Sequence, residues 1–152
     1  MQGKAYGQTQ IGQKASYGEA RQHHSVVWNC PIDISFKSPN PFGWPQLVFC
    51  LYSVDPSSAD ASNTPCLAYG VTHVPLNAGQ HDTVVRLFAL EPSSPFQALQ
   101  GWFLQKPPQL KDPAMLSRGE GRELTRTASQ GTISVKFNVV VKDMASMGYV
   151  AN

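Results

Sequence analysis

Ten residues, SRGEGRELTR at positions 117–126, hold three arginines, two glutamates and two glycines. Such a stretch can in principle cradle phosphate, supply paired carboxylates, or form a solvated turn. A phosphate loop needs backbone N–H groups and a lysine converging on the anion between a strand and a helix. Here Gly119 and Gly121 have the wrong spacing, no lysine follows, and a strand pattern lies beyond. Glu120 would also occupy the place of the anion, so a nucleotide loop is rejected. An acid/base pair at Glu120 and Glu123 needs one carboxyl desolvated enough to raise its pKa. Arg118, Arg122 and Arg126 crowd both carboxylates and hold them ionised. The expected role is a local ion-pair lattice that braces the approach to the last strand.

Other reactive residues are sparse. His23 and His24 fall in the N-terminal segment, and His73 and His81 flank a turn with no acidic or cysteine partner at ligand spacing. His73 shares a strand face with Leu67, Tyr69 and Val71, which predicts a semi-buried, hydrogen-bonded imidazole. No serine has the surroundings of a nucleophile elbow. Asp55 and Asp60 share one loop and Asp82 lies on another, too thin a set for the roughly 6 to 8 oxygens that calcium takes. Cys30, Cys50 and Cys66 are an odd number without CxxC spacing, which argues against zinc and against a disulfide framework. Cys30 and Cys50 stand among apolar, strand-like residues and read as small buried hydrophobes. The residues predict no catalytic site, no metal and no cofactor.

The elements that must position these groups are short. At 152 residues the chain is the size of one domain, and only 14% of it is charged, against about 25% in typical globular proteins. Twelve prolines and twelve glycines cut it into pieces too short for long helices. The formal charge of +2 gives no broad basic footprint for nucleic acid. No apolar run approaches the roughly 20 residues of a membrane span, and MQGKAYGQTQIGQKAS lacks the apolar core of a secretory signal. A soluble intracellular protein is expected.

Residues 1–24 are rich in Gln and Gly without periodicity and predict a flexible arm. From Ser25 to Lys37 apolar residues alternate: Val26, Trp28, Cys30, Ile32, Ile34 and Phe36 point one way. This predicts a half-buried strand with Pro31 at an edge or bulge. QLVFCLYSV reads as a central strand, CLAYGVTHVPL as a third and TVVRLFAL as a fourth. SSPFQALQGWFLQ predicts the one real helix, capped by Ser94, with Phe96, Leu99 and Phe103 on one face. Asp112 and Pro113 start a further helical turn through Met115 and Leu116 that stops at Gly119. TISVKFNVVVK alternates as the last strand. Five strands with turn-rich joints and one inserted helix predict an all-β antiparallel sandwich.

The segments VVWNCPIDISFKSPNPFGWPQLVF, YGVTHVPL, GWFLQKPP and DPAMLSRGEGRELTRTASQGTISVKFNVVVKDM occur in this order. Together with the GY at 148–149 they resemble the B9 domain family, over Val26 to Tyr149. The resemblance implies a C2-like β-sandwich over 25–149. It also implies a non-enzymatic subunit of the ciliary transition zone, in the cytoplasm at the basal body and its cytoskeleton. Its partners would be other B9-domain proteins, namely B9 domain-containing protein 2 and the Meckel syndrome type 1 protein, within the tectonic-like complex that supports ciliogenesis and gates ciliary membrane proteins. Trp28, Gly43, Trp44, Pro45, Gly119, Glu120, Gly121, Arg122 and Glu123 carry the family signature, with Gly119 and Gly121 allowing a tight backbone path. Relatives carry one or two more strands ahead of VVWN, so either the chain is a shortened form or the arm replaces them. Lys106, Lys111, Arg118, Arg122 and Arg126 are the candidate residues for a partner or, in the alternative of a peripheral C2-like module, for anionic lipid.

Overall fold

A computed structural model describes residues 6–12, 25–37, 45–54, 64–104, 107–119, 125–143 and 148. The chain divides into two compact units, Met1–Pro39 and Asn40–Asn152. In the second, β1 (Gln46–Tyr52), β2 (Cys66–His73), β3 (Gly79–Leu90) and β4 (Thr127–Val139) form one antiparallel sheet in the order β1-β2-β3-β4. Helix α1 (Pro95–Leu104) and the single turn α2 (Met115–Arg118) lie in the connection between β3 and β4. The fold is all-β and C2-like, as expected.

Alternation along the strands sorts the side chains onto two faces. Val48, Cys50, Cys66, Tyr69, Val71, Phe88 and Leu90 pack together on one, under Leu110 and Leu116 of the β3–β4 connection. Cys66 joins this face because the register slips between Leu51 and Tyr52, so that Cys66 pairs with Tyr52 and Leu67 is passed over. The opposite face carries Ala68, Val85 and Leu87, all buried. A Cβ on Gly70 would come within 2.8 Å of Leu87 Cδ2 and 3.2 Å of Val85 Cγ1, so the two strands approach closely only because residue 70 has no side chain. Val85 pairs with Ile133 and Thr83 with Val135, which extends this face through the half-buried Ile133, Val135, Phe137 and Val139. A second bulge pairs Leu87 with Gly131 and Phe88 with Ser129, and Gly131 takes φ 133° there.

Several elements differ from expectation for local reasons. The alternating stretch 25–37 holds only an isolated bridge at Ser35. Asn29 sits at φ 45°, a left-handed conformation that breaks a strand's run, and Pro31 has no N–H to give a ladder. Its apolar set is only partly covered: Val26, Trp28 and Ile34 are half-buried, whereas Ile32 is 61% exposed, Phe36 39%, and Cys30 is exposed rather than buried. QLVFCLYSV does form β1, half-buried along most of its length, but at the end of the described sheet rather than its centre. Strand β2 stops at His73, ahead of Pro75, whereas β3 begins at Gly79 and β4 at Thr127, both earlier than their apolar cores suggest. In the first unit, residues 6–12 have no regular secondary structure, and Gly12 lies against Val26 and Trp28. The rest of the expected arm lies outside the described residues.

Candidate functional site

The β3–β4 connection is built as a closed excursion. The N–H of Glu91, just past β3, donates to the Arg126 carbonyl at 2.8 Å, so the two ends of the connection meet. Midway, the Leu110 N–H donates to the Tyr69 hydroxyl at 3.0 Å. Tyr69 is 2% exposed and its ring lies 6.2 Å from that of Phe88. Burial, with a smaller contribution from Cys66, pushes its phenol up to about 12, although the Leu110 N–H pulls the other way. Asp112 then starts the short turn: its carboxylate accepts from the Ala114 N–H at 3.0 Å and its carbonyl from the Met115 N–H at 3.3 Å. Leu116 points into the core beside Cys66 and Tyr69. Gly119 ends α2 at φ 75° and ψ −5°, the left-handed cap that glycine adopts without strain.

Lys111 and Arg118 are exposed on either side of that turn, and Arg126 is exposed just ahead of β4. Lys106, Glu120, Gly121, Arg122 and Glu123 lie outside the described residues, and so does the expected ion-pair lattice among them. Trp28 is half-buried, against Gly12. The Pro45 carbonyl accepts from the Val74 N–H at 3.0 Å, while Gly43 and Trp44 lie outside the described residues.

Little of the described surface is equipped for bond-breaking chemistry. Burial and the neighbouring Cys66 raise the Cys50 thiol, which keeps it protonated and a poor nucleophile near neutral pH. Burial likewise raises the Tyr52 phenol. His73 is exposed rather than semi-buried, yet it is hydrogen-bonded, with its Nε2 2.8 Å from the Gln46 amide nitrogen. The His81 ring N–H donates to the Asn77 carbonyl at 2.9 Å. A shallow hollow of about 230 Å³ is lined by Gln80, Asp82, Lys136, Phe137 and Asn138. Its only charges are Asp82 and Lys136, 3.9 Å apart and largely in solvent. Among the described residues no three His, Cys, Asp or Glu gather as metal ligands, and no helix is long and apolar enough to cross a membrane.

The predicted apolar face of the helix is not buried. On α1, Phe96, Leu99 and Phe103 are 75%, 62% and 81% exposed. Their shared face was legible in the sequence, but their exposure was not, because PFQALQGWFL contains no charged residue and such a composition predicts burial.

A sequence model of the B9-C2 family, described as "Ciliary basal body-associated, B9 protein", matches residues 1–140. The chain belongs to this family. Among curated relatives it is 43% identical to mouse B9 domain-containing protein 1 over 94% of this chain and 66% of the relative. It is 41% identical to the Xenopus laevis protein of that name, over 94% and 68%. Zebrafish B9 domain-containing protein 2 is 25% identical over 97% of this chain and 78% of the relative. The chain thus spans about two thirds of the length of the first two relatives. No solved structure matches. The B9-C2 family is associated with the ciliary basal body and is not a known family of enzymes.

Proposed function

We propose that this chain is a non-enzymatic scaffold subunit at the ciliary transition zone. It binds other B9-domain proteins, B9 domain-containing protein 2 and the Meckel syndrome type 1 protein, within the tectonic-like complex, and so supports ciliogenesis and the gating of ciliary membrane proteins. The observation that carries this reading is the family match over residues 1–140. The described chemistry is consistent with it: the exposed side chains offer surface, whereas Cys50 and Tyr69 are held in their neutral forms by burial. Lys106, Lys111, Arg118, Arg122 and Arg126 are the cations we assign to partner binding, while Trp28, Gly43, Trp44, Pro45 and Gly119–Glu123 carry the family signature.

Co-expression of the chain with each sister protein tests the proposal. A stable complex is expected with at least one of them, and separate elution from both overturns it. The exposure of Lys111, Arg118 and Arg126 favours one competing reading, peripheral docking on anionic lipid. That reading requires vesicle sedimentation that falls steeply with salt.

A further inference from the structure

Tyr69 is the largest fully buried side chain among the described residues, and its hydroxyl meets the main chain of the β3–β4 connection. It sits on β2, an inner strand, with Cys50 of β1 and Phe88 of β3 beside it across the ladder. A hydroxyl so placed is as fixed as the sheet itself. Residues 107–110, by contrast, belong to no helix or strand. The Leu110 N–H donates to the Tyr69 hydroxyl at 3.0 Å, and the half-buried Leu110 side chain packs on the same core. The connection is therefore pinned to the sheet at residue 110.

The next residue along is the exposed Lys111. The adjacent Asp112 carboxylate faces onward along the chain, where it accepts from the Ala114 N–H at 3.0 Å. Arg118 has a separate anchor, because α2 packs on β1 and Leu116 enters the core. A cation contributes most to binding when the chain that carries it need not be ordered in the encounter. Ordering the backbone of a single residue corresponds to a factor of roughly 5 to 30 in affinity. Lysine offers three N–H donors and no acceptor, so its ligand is an anion. Anionic lipid is met through a diffuse surface potential, to which a lysine adds with little regard to its placement. A fixed main chain matters for a discrete carboxylate on a protein. We propose that Tyr69 is a positioning residue for partner binding: its hydroxyl fixes the main chain at Leu110 and thereby sets Lys111 where its ammonium meets a carboxylate of a sister B9-domain protein. This inference rests on the scaffold reading above and names how one of the cations assigned there is held in place.

The test is a double-mutant cycle on the full chain with its sister subunit, titrated at a temperature where circular dichroism shows every variant folded. Tyr69→Phe, which keeps the ring, should weaken the complex by about fivefold or more. Lys111→Ala should cost about fivefold in the unmutated chain and less than about twofold in Tyr69→Phe. Arg118→Ala should have the same effect in both backgrounds. A further readout needs no variant: the Leu110 amide should exchange slowly in the free, unmutated chain. A purely structural Tyr69 would leave the Lys111→Ala effect equal in the two backgrounds, or would diminish the Arg118→Ala effect as much, and either result overturns the inference. A Leu110 amide that exchanges as fast as an unbonded one overturns it as well. Loss of sedimentation with phosphatidylserine vesicles in Lys111→Ala, with the protein complex unchanged, assigns the cation to lipid and also overturns it. All three results leave the scaffold reading intact, whereas failure of the unmutated chain to bind either sister overturns both.

Discussion

Tyr69 shows how one side chain can hold a connection 41 residues away in sequence. Its ring fills the core beside Phe88, and its hydroxyl accepts the Leu110 N–H. Tyr69→Phe keeps the ring and strands that N–H, so a loss of about 1 to 2 kcal/mol is expected in urea unfolding. The phenol adds a pH signature. Its pKa rises from an ordinary 10 to about 12 on folding, so the folded state favours the protonated form. The resulting stability is fully present below pH 10 and is lost as pH climbs from 10 through 12. Thermal melts across that window should fall more steeply for the unmutated chain than for Tyr69→Phe. Equal slopes would show that another group dominates the alkaline transition.

At the scale of elements, what could be read from sequence was whatever alternation and punctuation fully determine. Strand β4 was legible because Ile133, Val135 and Phe137 face inward while Ser134, Lys136 and Asn138 face out. Its true start at Thr127 was not, since the bulge at Gly131 lets pairing continue past a residue that ordinarily weakens a strand. The α2 turn was legible from Asp112 at its start and Gly119 at its end. The stretch 25–37 shows the opposite failure. An alternation as regular as that of β4 is undone by one left-handed Asn29 and one Pro31, neither of which changes the apolar pattern. The exposed cation positions on the β3–β4 connection could be named from sequence, whereas the exposure of α1 could not, because composition alone predicts its burial. Two substitutions probe the sheet. Gly70→Ala should cost about 1 to 3 kcal/mol by crowding the buried Leu87 and Val85. Lys136→Ala should shift stability by less than about 0.5 kcal/mol, because its pair with Asp82 is mostly in water. A larger effect at Lys136 than at Gly70 in the same denaturation assay would invert this account of what holds β3 to its neighbours.

For the whole molecule, the sheet uses its buried faces for stability and leaves the β3–β4 connection as the elaborated exterior. That connection is anchored at Glu91–Arg126, at Tyr69–Leu110 and through Leu116, and it presents Lys111, Arg118 and the apolar side of α1 to solvent. Anchored ends with an unburied apolar face are what a docking module requires and what a closed catalytic pocket does not. The measurement that bears most directly on this is light scattering on the size-exclusion peak of the chain co-expressed with B9 domain-containing protein 2 or the Meckel syndrome type 1 protein. The account predicts one peak whose mass is the sum of the two chains. Two peaks at the separate masses for both pairings, with each protein folded, would contradict it.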